Sequence, residues 1–515
     1  MKLDGMKRYA NSDVVDAVVV GTGAGGAPLL MKLAQAGLRV VALEAGRNWD
    51  PADFPADEVA GAKIYWRDER LSGGKTPEAF GGNNSGTGVG GSMLHWGAFC
   101  PRPDPRDLKL RSTTGSGVDW PIEHAELVPY LEQVETFIGV SGPSRYPWDP
   151  SRTYAFPPVT LNAPAYAMQL GCASLGIKTA TCPAAVLTRD IVGPAGDRQR
   201  CINCGHCHQG CRIGAKTSMD VTYLPVAVAA GAEIRAECFV HGIERDAAGR
   251  VTAVVYRDAD GVDHKQLCAA LILCAGAIET PRLMLHTGLG NASGQVGRNY
   301  LAHVATQVWG TFAAEMRCNK GYPSSLITED MIRPKDADFA GGYLVQSLGV
   351  LPVTWANQVA RARPMWGQKL VDYIDGYNHV AGIGINGDCL PSDDNVLTLS
   401  DEVDATGVPK PRIDFSYGAN ERAMDAHSVR MMKAVWEAAG ATDIWACPRV
   451  AHTIGTCRMG TDADSAVVDP AGRSHDVPNL WICDNSVFPS ALPANPALTI
   501  MALSLRTAEA MLAGR

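Results

Sequence analysis

The apolar run Ala17-Val18-Val19-Val20 stops at a glycine-rich turn, Gly21-Thr22-Gly23-Ala24-Gly25-Gly26. Apolar residues then recur at helical spacing from Ala27 to about Ala36, where Gly37 interrupts them. A second short apolar run, Arg39 to Leu43, ends at Glu44. Strand, turn, helix and strand in this order predict a βαβ unit with parallel strands. Further along, the pattern predicts a helix from Ala125 to Ile138 and strands over Glu233 to Glu244 and Val251 to Arg257, with a turn at Ala248-Gly249. A buried strand from Ala270 to Cys274 leads into Gly276 and a helix from about Thr280 to Leu285. From about 300 to 445 the apolar runs are short and separated by charged turns, as at Asn395 to Leu399 and Arg412 to Phe415, which predicts an antiparallel sheet. The α/β pattern returns at the end, with a strand at Leu480 to Cys483 and a helix from Pro496 to Leu512.

The turn in the first unit carries Gly21, Gly23 and Gly26 at G-x-G-x-x-G spacing. Without side chains the backbone can approach a pyrophosphate, which then lies at the positive end of the following helix. Glu44, at the end of the second strand, is placed to accept a hydrogen bond from an adenosine ribose. Together these features predict dinucleotide binding. The segment Gly81 to Trp96 is rich in Gly, Asn and Ser and has little to build a core of its own, so it is expected to rest on the bound cofactor. Residues 142 to 165, with many prolines and aromatics, read as an extended connection or lid.

Composition narrows the function classes. The 515 residues are 46% hydrophobic and only 19% charged, which excludes a disordered chain and implies a large buried core. Lys plus Arg number 46 against 54 Asp plus Glu, and no basic run occurs, so nucleic acid is not an expected partner. No apolar stretch reaches the roughly 18 residues of a membrane span. The N-terminus MKLDGMKRYANSD has neither a twin-arginine pair nor an apolar signal core. These features lead to an expectation of a cytoplasmic protein, the alternative being a periplasmic or membrane-associated one exported with a partner subunit.

Four of the 15 cysteines form the run Cys201-x2-Cys204-x2-Cys207-x3-Cys211. This is ferredoxin-type spacing, with Arg212 in place of the usual following proline. The fourth cysteine of such a run serves a different cluster in ferredoxins, so three local ligands and a [3Fe–4S] centre fit. A [4Fe–4S] centre needs Cys211 to bend back or a remote cysteine. A zinc site or a pair of local disulfides remains open on the same residues.

The glycine fingerprint, the Gly90-Gly91-Ser92 loop and the segment Gly276-Ala277-Ile278-Glu279-Thr280-Pro281 resemble the glucose–methanol–choline (GMC) oxidoreductases. So do His452 in HTIGTCRMG and Asp484 with Asn495 in DNSVFPSALPANPALTIMAL. The subgroup that the chain resembles is that of bacterial dehydrogenase flavoprotein subunits acting on sugars and sugar acids. The resemblance implies an α/β fold with a Rossmann-like FAD-binding domain, discontinuous over 1–120, 225–300 and 450–515. It implies an antiparallel-sheet substrate domain over 121–224 and 301–449, with the cysteine-rich insertion at 201–211. The implied reaction is oxidation of an alcohol to a carbonyl.

That reaction needs a hydride acceptor, which FAD supplies, and a base for the hydroxyl proton. The resemblance places the base at His452, whose imidazole takes a proton near neutral pH, and a second active-site residue at Asn495. Asn495 before Pro496 also reads as the N-cap of the last helix. Asp484 takes the position of a flavin-contacting carboxylate, with an ordinary loop carboxylate as the alternative. His95, before Trp96, either bonds covalently to the flavin or packs beside it. The cysteine run implies electron transfer to a cytochrome or quinone, and a small subunit as a further partner. An oxidase with a zinc or structural cysteine loop, acting on long-chain or terpenoid alcohols, and a non-catalytic flavoprotein are the competing readings. Cys457, His286 and His475 are expected to be structural. Trp355, Trp366, Tyr373 and Tyr377 are expected to pack a core rather than stack on a sugar.

Overall fold

A computed structural model of the chain describes residues 3, 5–77, 85–193, 195–335 and 337–514. The first apolar run becomes the strand Ala17–Val20, central in a parallel sheet ordered Leu480–Ile482, Leu271–Leu273, Ala17–Val20, Val40–Leu43 and Glu233–Arg235. Every residue of Ala17–Val20 is buried, as a parallel strand covered on both faces must be. The strands come from distant parts of the sequence, so the nucleotide-binding layer is assembled from separated segments.

The helix Gly26–Gln35 lies between this sheet and the helices Tyr223–Ala229 and Ala497–Ala513. Gly26 makes this contact possible. A Cβ there would stand 2.0 Å from the carbonyl oxygen of Gly21, so any side chain would force helix and turn apart. Ser504 pins the two helices by donating to Gly25 O at 2.5 Å and accepting from Leu29 N–H at 3.0 Å.

The predicted antiparallel region forms a larger sheet. Its main path runs Leu71–Gly73, Pro409–Asp414, Val396–Val403, Arg298–Val304, Val380–Gly387, Tyr343–Leu348, Leu326–Thr328 and Ala180–Thr181. The strand Gln307–Thr311 pairs with Val380–Gly387 and with Thr442–Cys447, and Val450–Thr456 pairs with Arg298–Val304. Helices Ala163–Ser174 and Ala419–Ala438 pack on it around Trp436 and Met424.

Some element boundaries differ from the sequence reading. The run Glu233 to Glu244 is two strands, Glu233–Arg235 in the parallel sheet and Phe239–Arg245 in a separate three-stranded meander. The chain breaks between them at Glu237, whose φ of 56° no strand accommodates, while Glu237 and Cys238 N–H donate to Gly46 and Glu44 carbonyls. The helix read as Thr280 to Leu285 spans Gly276–Thr287. The last helix begins at Ala497, with Pro496 rather than Asn495 at its N-cap.

Candidate active site

A cavity of about 480 Å³ lies between the two sheets. On the nucleotide-binding side its wall includes Gly21, Gly23, Glu44, Gly91, Ser92 and Asp484. Gly26 and Gly90 lie behind this wall, Gly90 donating its N–H to Thr22 Oγ1 at 3.0 Å. The helix Gly26–Gln35 starts from the cavity-lining turn with no side-chain cap at Gly25. In its first turn Ala27 N–H bonds Gly23 O, Pro28 has no N–H and Leu29 N–H bonds Ser504 Oγ, which leaves the Gly26 N–H and the positive end of the helix to face an anion. The glycine loops interlock here. Gly91 has a φ of 57°, and a Cβ on it would lie 2.8 Å from Gly23 Cα. The stretch 81–84 of the expected cofactor-covering loop lies outside the described residues.

Glu44 is buried and its four acceptor sites are filled. Oε2 takes Thr22 N–H at 3.0 Å and the Thr22 hydroxyl at 2.7 Å; Oε1 takes Gly46 N–H at 3.1 Å and Gly88 N–H at 3.3 Å. The carboxylate therefore ties the turn to the following loop, and the expected ribose bond requires that the Thr22 hydroxyl turn away. Burial raises its pKa against these donors. Asp484 does similar work across the sheet. Its Oδ2 accepts from Gly276 N–H at 2.8 Å and Thr280 Oγ1–H at 2.6 Å, and its Oδ1 from Ser486 N–H at 2.8 Å. It thus joins the GAIETP helix to the C-terminal segment.

The opposite wall presents His452 and Asn495. His452 is the extra residue of a β-bulge: Thr453 pairs with Ala302 and Ala451 with His303, leaving His452 between them with a φ of 58°. The bulge turns its ring out of the sheet and into the cavity. The protonation pattern follows from the neighbours. His303, fully buried, points Nε2 at the carbonyls of Leu492 (2.6 Å) and Ala491 (3.1 Å), which can only accept, so Nε2 carries the proton. His303 Nδ1 is then a lone pair, and it faces His452 Nδ1 at 2.8 Å. His452 must therefore carry its proton on Nδ1 and present the Nε2 lone pair. Asn495 Nδ2 reaches that atom at 3.4 Å, and Asn495 Oδ1 accepts from Asn386 Nδ2 at 3.0 Å. The capping role for the Asn495 side chain is thus not realised; helix entry leaves it facing the cavity.

Burial and the charges of His303, Arg449 and His95 hold His452 well below the ordinary imidazole pKa. Burial pushes His303 down to about 4. A neutral His452 with an exposed Nε2 is the form that can remove a proton.

His95 also lines the cavity, its ring 4.6 Å from that of Tyr65 and its Nε2 without a protein partner. Burial, with Lys216 and His208 nearby, lowers its pKa to about 3. The cysteine run packs directly behind this loop. His208 Nδ1 donates to His95 O at 2.9 Å, and Lys216 Nζ donates to Leu94 O (2.7 Å), Trp96 O (3.2 Å) and Cys207 O (2.6 Å). Gly205, His208 and Gln209 form part of the cavity wall, whereas Cys204 is exposed on the other side of the loop. Cys201 Sγ accepts from Asn203 N–H at 3.3 Å and Cys211 Sγ from Lys216 N–H at 3.4 Å. Among the described residues no three metal-ligating side chains converge on one point, and all the cysteines are free thiols. The pair of local disulfides is therefore not formed.

Family models for GMC oxidoreductases match residues 75–305 and 391–504. The chain is 30% identical to the fructose dehydrogenase large subunit of Gluconobacter japonicus, covering 96% of this chain and 97% of that one. The chain belongs to the GMC oxidoreductases. It is therefore an FAD-dependent oxidoreductase acting on CH–OH donors. Another relative of this GMC enzyme is the gluconate 2-dehydrogenase flavoprotein of Pantoea cypripedii, 26% identical over 96% of this chain and 93% of that one. Pyridoxine 4-oxidase from Mesorbium loti shares the GMC fold at a TM-score of 0.66 and 17% identity, covering 97% of this chain and 99% of that one. The residues present fit FAD: an uncapped helix end for a pyrophosphate, glycine contacts with no room for side chains, and a buried, unpartnered His95 Nε2.

Sequence reasoning missed His303, Lys216, Arg449 and the cavity-lining amides Gln307 and Gln346. His303 shares its strand with Arg298 and Asn299, and Gln307 opens the strand Gln307–Thr311, so nothing local marks either residue as facing a site. The aromatics Trp355, Tyr373 and Tyr377 pack on one another away from the cavity, and Trp366 is exposed. Cys457 is buried against Met284.

Proposed function

We propose that the chain is the flavoprotein part of a dehydrogenase that oxidises a hydroxyl of a sugar or related alcohol to a carbonyl. Bound FAD supplies the two-electron acceptor. His452 Nε2 takes the hydroxyl proton as the hydride leaves the same carbon, and Asn495 Nδ2 orients the substrate oxygen. The N-terminus of the helix Ala497–Ala513, which meets the cavity at Ala497, favours negative charge on the reduced cofactor. The observation that carries this reading is the His303–His452 contact, because it leaves His452 with its basic nitrogen facing the cavity.

An iron–sulfur cluster held by Cys201, Cys204, Cys207 and Cys211 would supply a one-electron path from the reduced cofactor toward a cytochrome or quinone. Support comes from the loop's position, which reaches from the cavity wall to the surface at Cys204, and from two N–H···S bonds of the kind that stabilise thiolates. The Lys216 ammonium beside Cys207, bound only to carbonyls, adds a positive charge suited to a sulfur-bound anionic group. Two relatives are named as a large subunit and a flavoprotein, in keeping with a small partner subunit here. His95 Nε2 is the atom through which the flavin would be bonded covalently.

Rapid mixing of the oxidised holoenzyme with a panel of sugars and alcohols tests the reading. His452→Ala should slow flavin reduction at least about 10³-fold while leaving FAD bound. Undiminished reduction would refute the assignment and favour a different base.

A further inference from the structure

The cavity holds a cation that the chemistry above does not use. Arg449 lines it three residues before His452, and its guanidinium makes no hydrogen bond or ion pair among the described residues. Its electrostatic neighbours include no carboxylate: they are the second cation Arg361, the side chains of Cys447 and Tyr65, and the imidazoles of His452 and His208. By contrast, Arg70 and Arg282, which also line the cavity, are both paired with Glu279. An enclosed guanidinium without an anion is costly, and arginine cannot relieve the cost by losing its proton.

The sheet beside it presents further unpaired polar groups. Gln307 and Gln346 lie opposite the same residue, Gly384, from the strands on either side of Val380–Gly387. Residues in cross-strand register share a face, so the two amides flank Gly384 on the cavity side. Neither makes a side-chain hydrogen bond among the described residues, and the Oε1 atoms of both are buried without a partner. Gly384 keeps the space between them open, since a Cβ there would lie 3.2 Å from Gln307 Cγ and Leu348 Cδ1. Two residues on, Asn386 faces the same way and bonds Asn495. The strand rise puts that step at about 7 Å, roughly the length of a short polyol chain.

We propose that the substrate is a polyhydroxy acid of the aldonate class, its carboxylate paired with Arg449 and its hydroxyls held by Gln307 and Gln346 as the oxidised carbon meets His452. This rests on the alcohol oxidation proposed above. It names which alcohol the site selects: one carrying a negative charge. A bidentate guanidinium–carboxylate pair supplies both attraction and orientation.

The test is steady-state kinetics of the holoenzyme with an artificial electron acceptor. The probes are D-gluconate, D-galactonate and D-glycerate, set against the uncharged D-glucose, D-galactose and glycerol. At least one acid should exceed its neutral counterpart in kcat/KM by about 10²-fold or more. At about pH 8, above the ordinary imidazole value, His452 is neutral with or without the Arg449 charge. There Arg449→Met should raise KM for that acid by about 50-fold or more, change kcat little, and leave neutral substrates within about 3-fold, with Arg449→Lys recovering part of the loss. The retained neutral turnover shows that the variant is folded and loaded. Equal use of acids and neutral alcohols, or an equal loss of both in Arg449→Met, would overturn the assignment and leave alcohol oxidation standing. Failure of every alcohol to reduce the flavin would instead remove the alcohol-oxidation reading and this inference with it.

Discussion

His303 Nδ1 and His452 Nδ1 lie 2.8 Å apart, and the two carbonyls on the far side of His303 decide which of them carries the proton. His303 is thus a positioning residue that fixes the tautomer of His452 without touching the substrate. His303→Phe should leave FAD binding intact and lower kcat about 10–100-fold with little change in KM, because the reactive tautomer is no longer enforced. His303→Asn keeps an acceptor near the Nδ1 position and should recover part of the loss. A phenylalanine variant with unchanged kcat would remove His303 from the catalytic arrangement.

The charges around His452 set the pH response. Burial, His303, Arg449 and His95 all depress its pKa, so the neutral, proton-accepting form persists as pH falls below the ordinary value of about 6.5. The acid limb of kcat/KM should therefore lie below pH 6.5, and His303→Asn, which removes one of those neighbouring titratable groups, should move it upward. A wild-type limb at or above 6.5 would contradict this placement. The same depression has a stability consequence in the apoprotein. The unfolded chain binds protons at these histidines before the folded chain does, so stability drops as pH falls from about 6.5 toward about 4 for His303 and about 3 for His95. Denaturant midpoints of apoprotein across that window measure it.

What the sequence revealed of this site was what lay within one stretch of chain. Gly21, Gly23 and Gly26 belong to one turn, and the resemblance supplied His452, Asn495 and Asp484 as intact segments. The strand Ala17–Val20 and its glycine turn were legible because four apolar residues ended at a motif with a known physical use. His303 was hidden because its meaning depends on pairing with a strand almost 150 residues away and on a bulge that no local pattern announces. The row Gln307, Gly384, Gln346 exists only in the register of three strands. Lys216 and Leu94 meet across 122 positions. The false continuity of Glu233 to Glu244 has a related cause: alternation survives the break at Glu237, and only the backbone shows the chain leaving one sheet for another.

Gly91 offers a test of the cofactor cradle independent of catalysis. A methyl group at this position would lie 2.8 Å from Gly23 Cα, in a left-handed conformation that alanine adopts poorly. Gly91→Ala should separate the two glycine loops at a cost of about 1–3 kcal/mol and weaken FAD binding correspondingly. The flavin-to-protein ratio after purification and the FAD dissociation constant of reconstituted apoprotein read this out. Wild-type values would mean that the loops do not clasp the cofactor as closely as their contact implies.

The cysteine loop is fastened to the His95 loop by Lys216 and His208, which hold Leu94, His95 and Trp96 through their carbonyls. Its cavity side carries Gly205, His208 and Gln209, and its outer side the exposed Cys204. On the proposed relay, substrate oxidation and electron exit would involve different faces of one loop. Cys204→Ser should leave flavin reduction by substrate within about 3-fold, since neither His452 nor Asn495 contacts that face. Reoxidation by a one-electron acceptor should slow by about 10-fold or more, with loss or conversion of the iron signal in the spin-resonance spectrum. Oxygen or a two-electron dye, which take electrons from the flavin directly, should reoxidise the variant at the wild-type rate. An equal loss in both half-reactions would mean that the loop only shapes the cavity, and an iron-free wild-type protein with unimpaired one-electron turnover would remove the relay altogether.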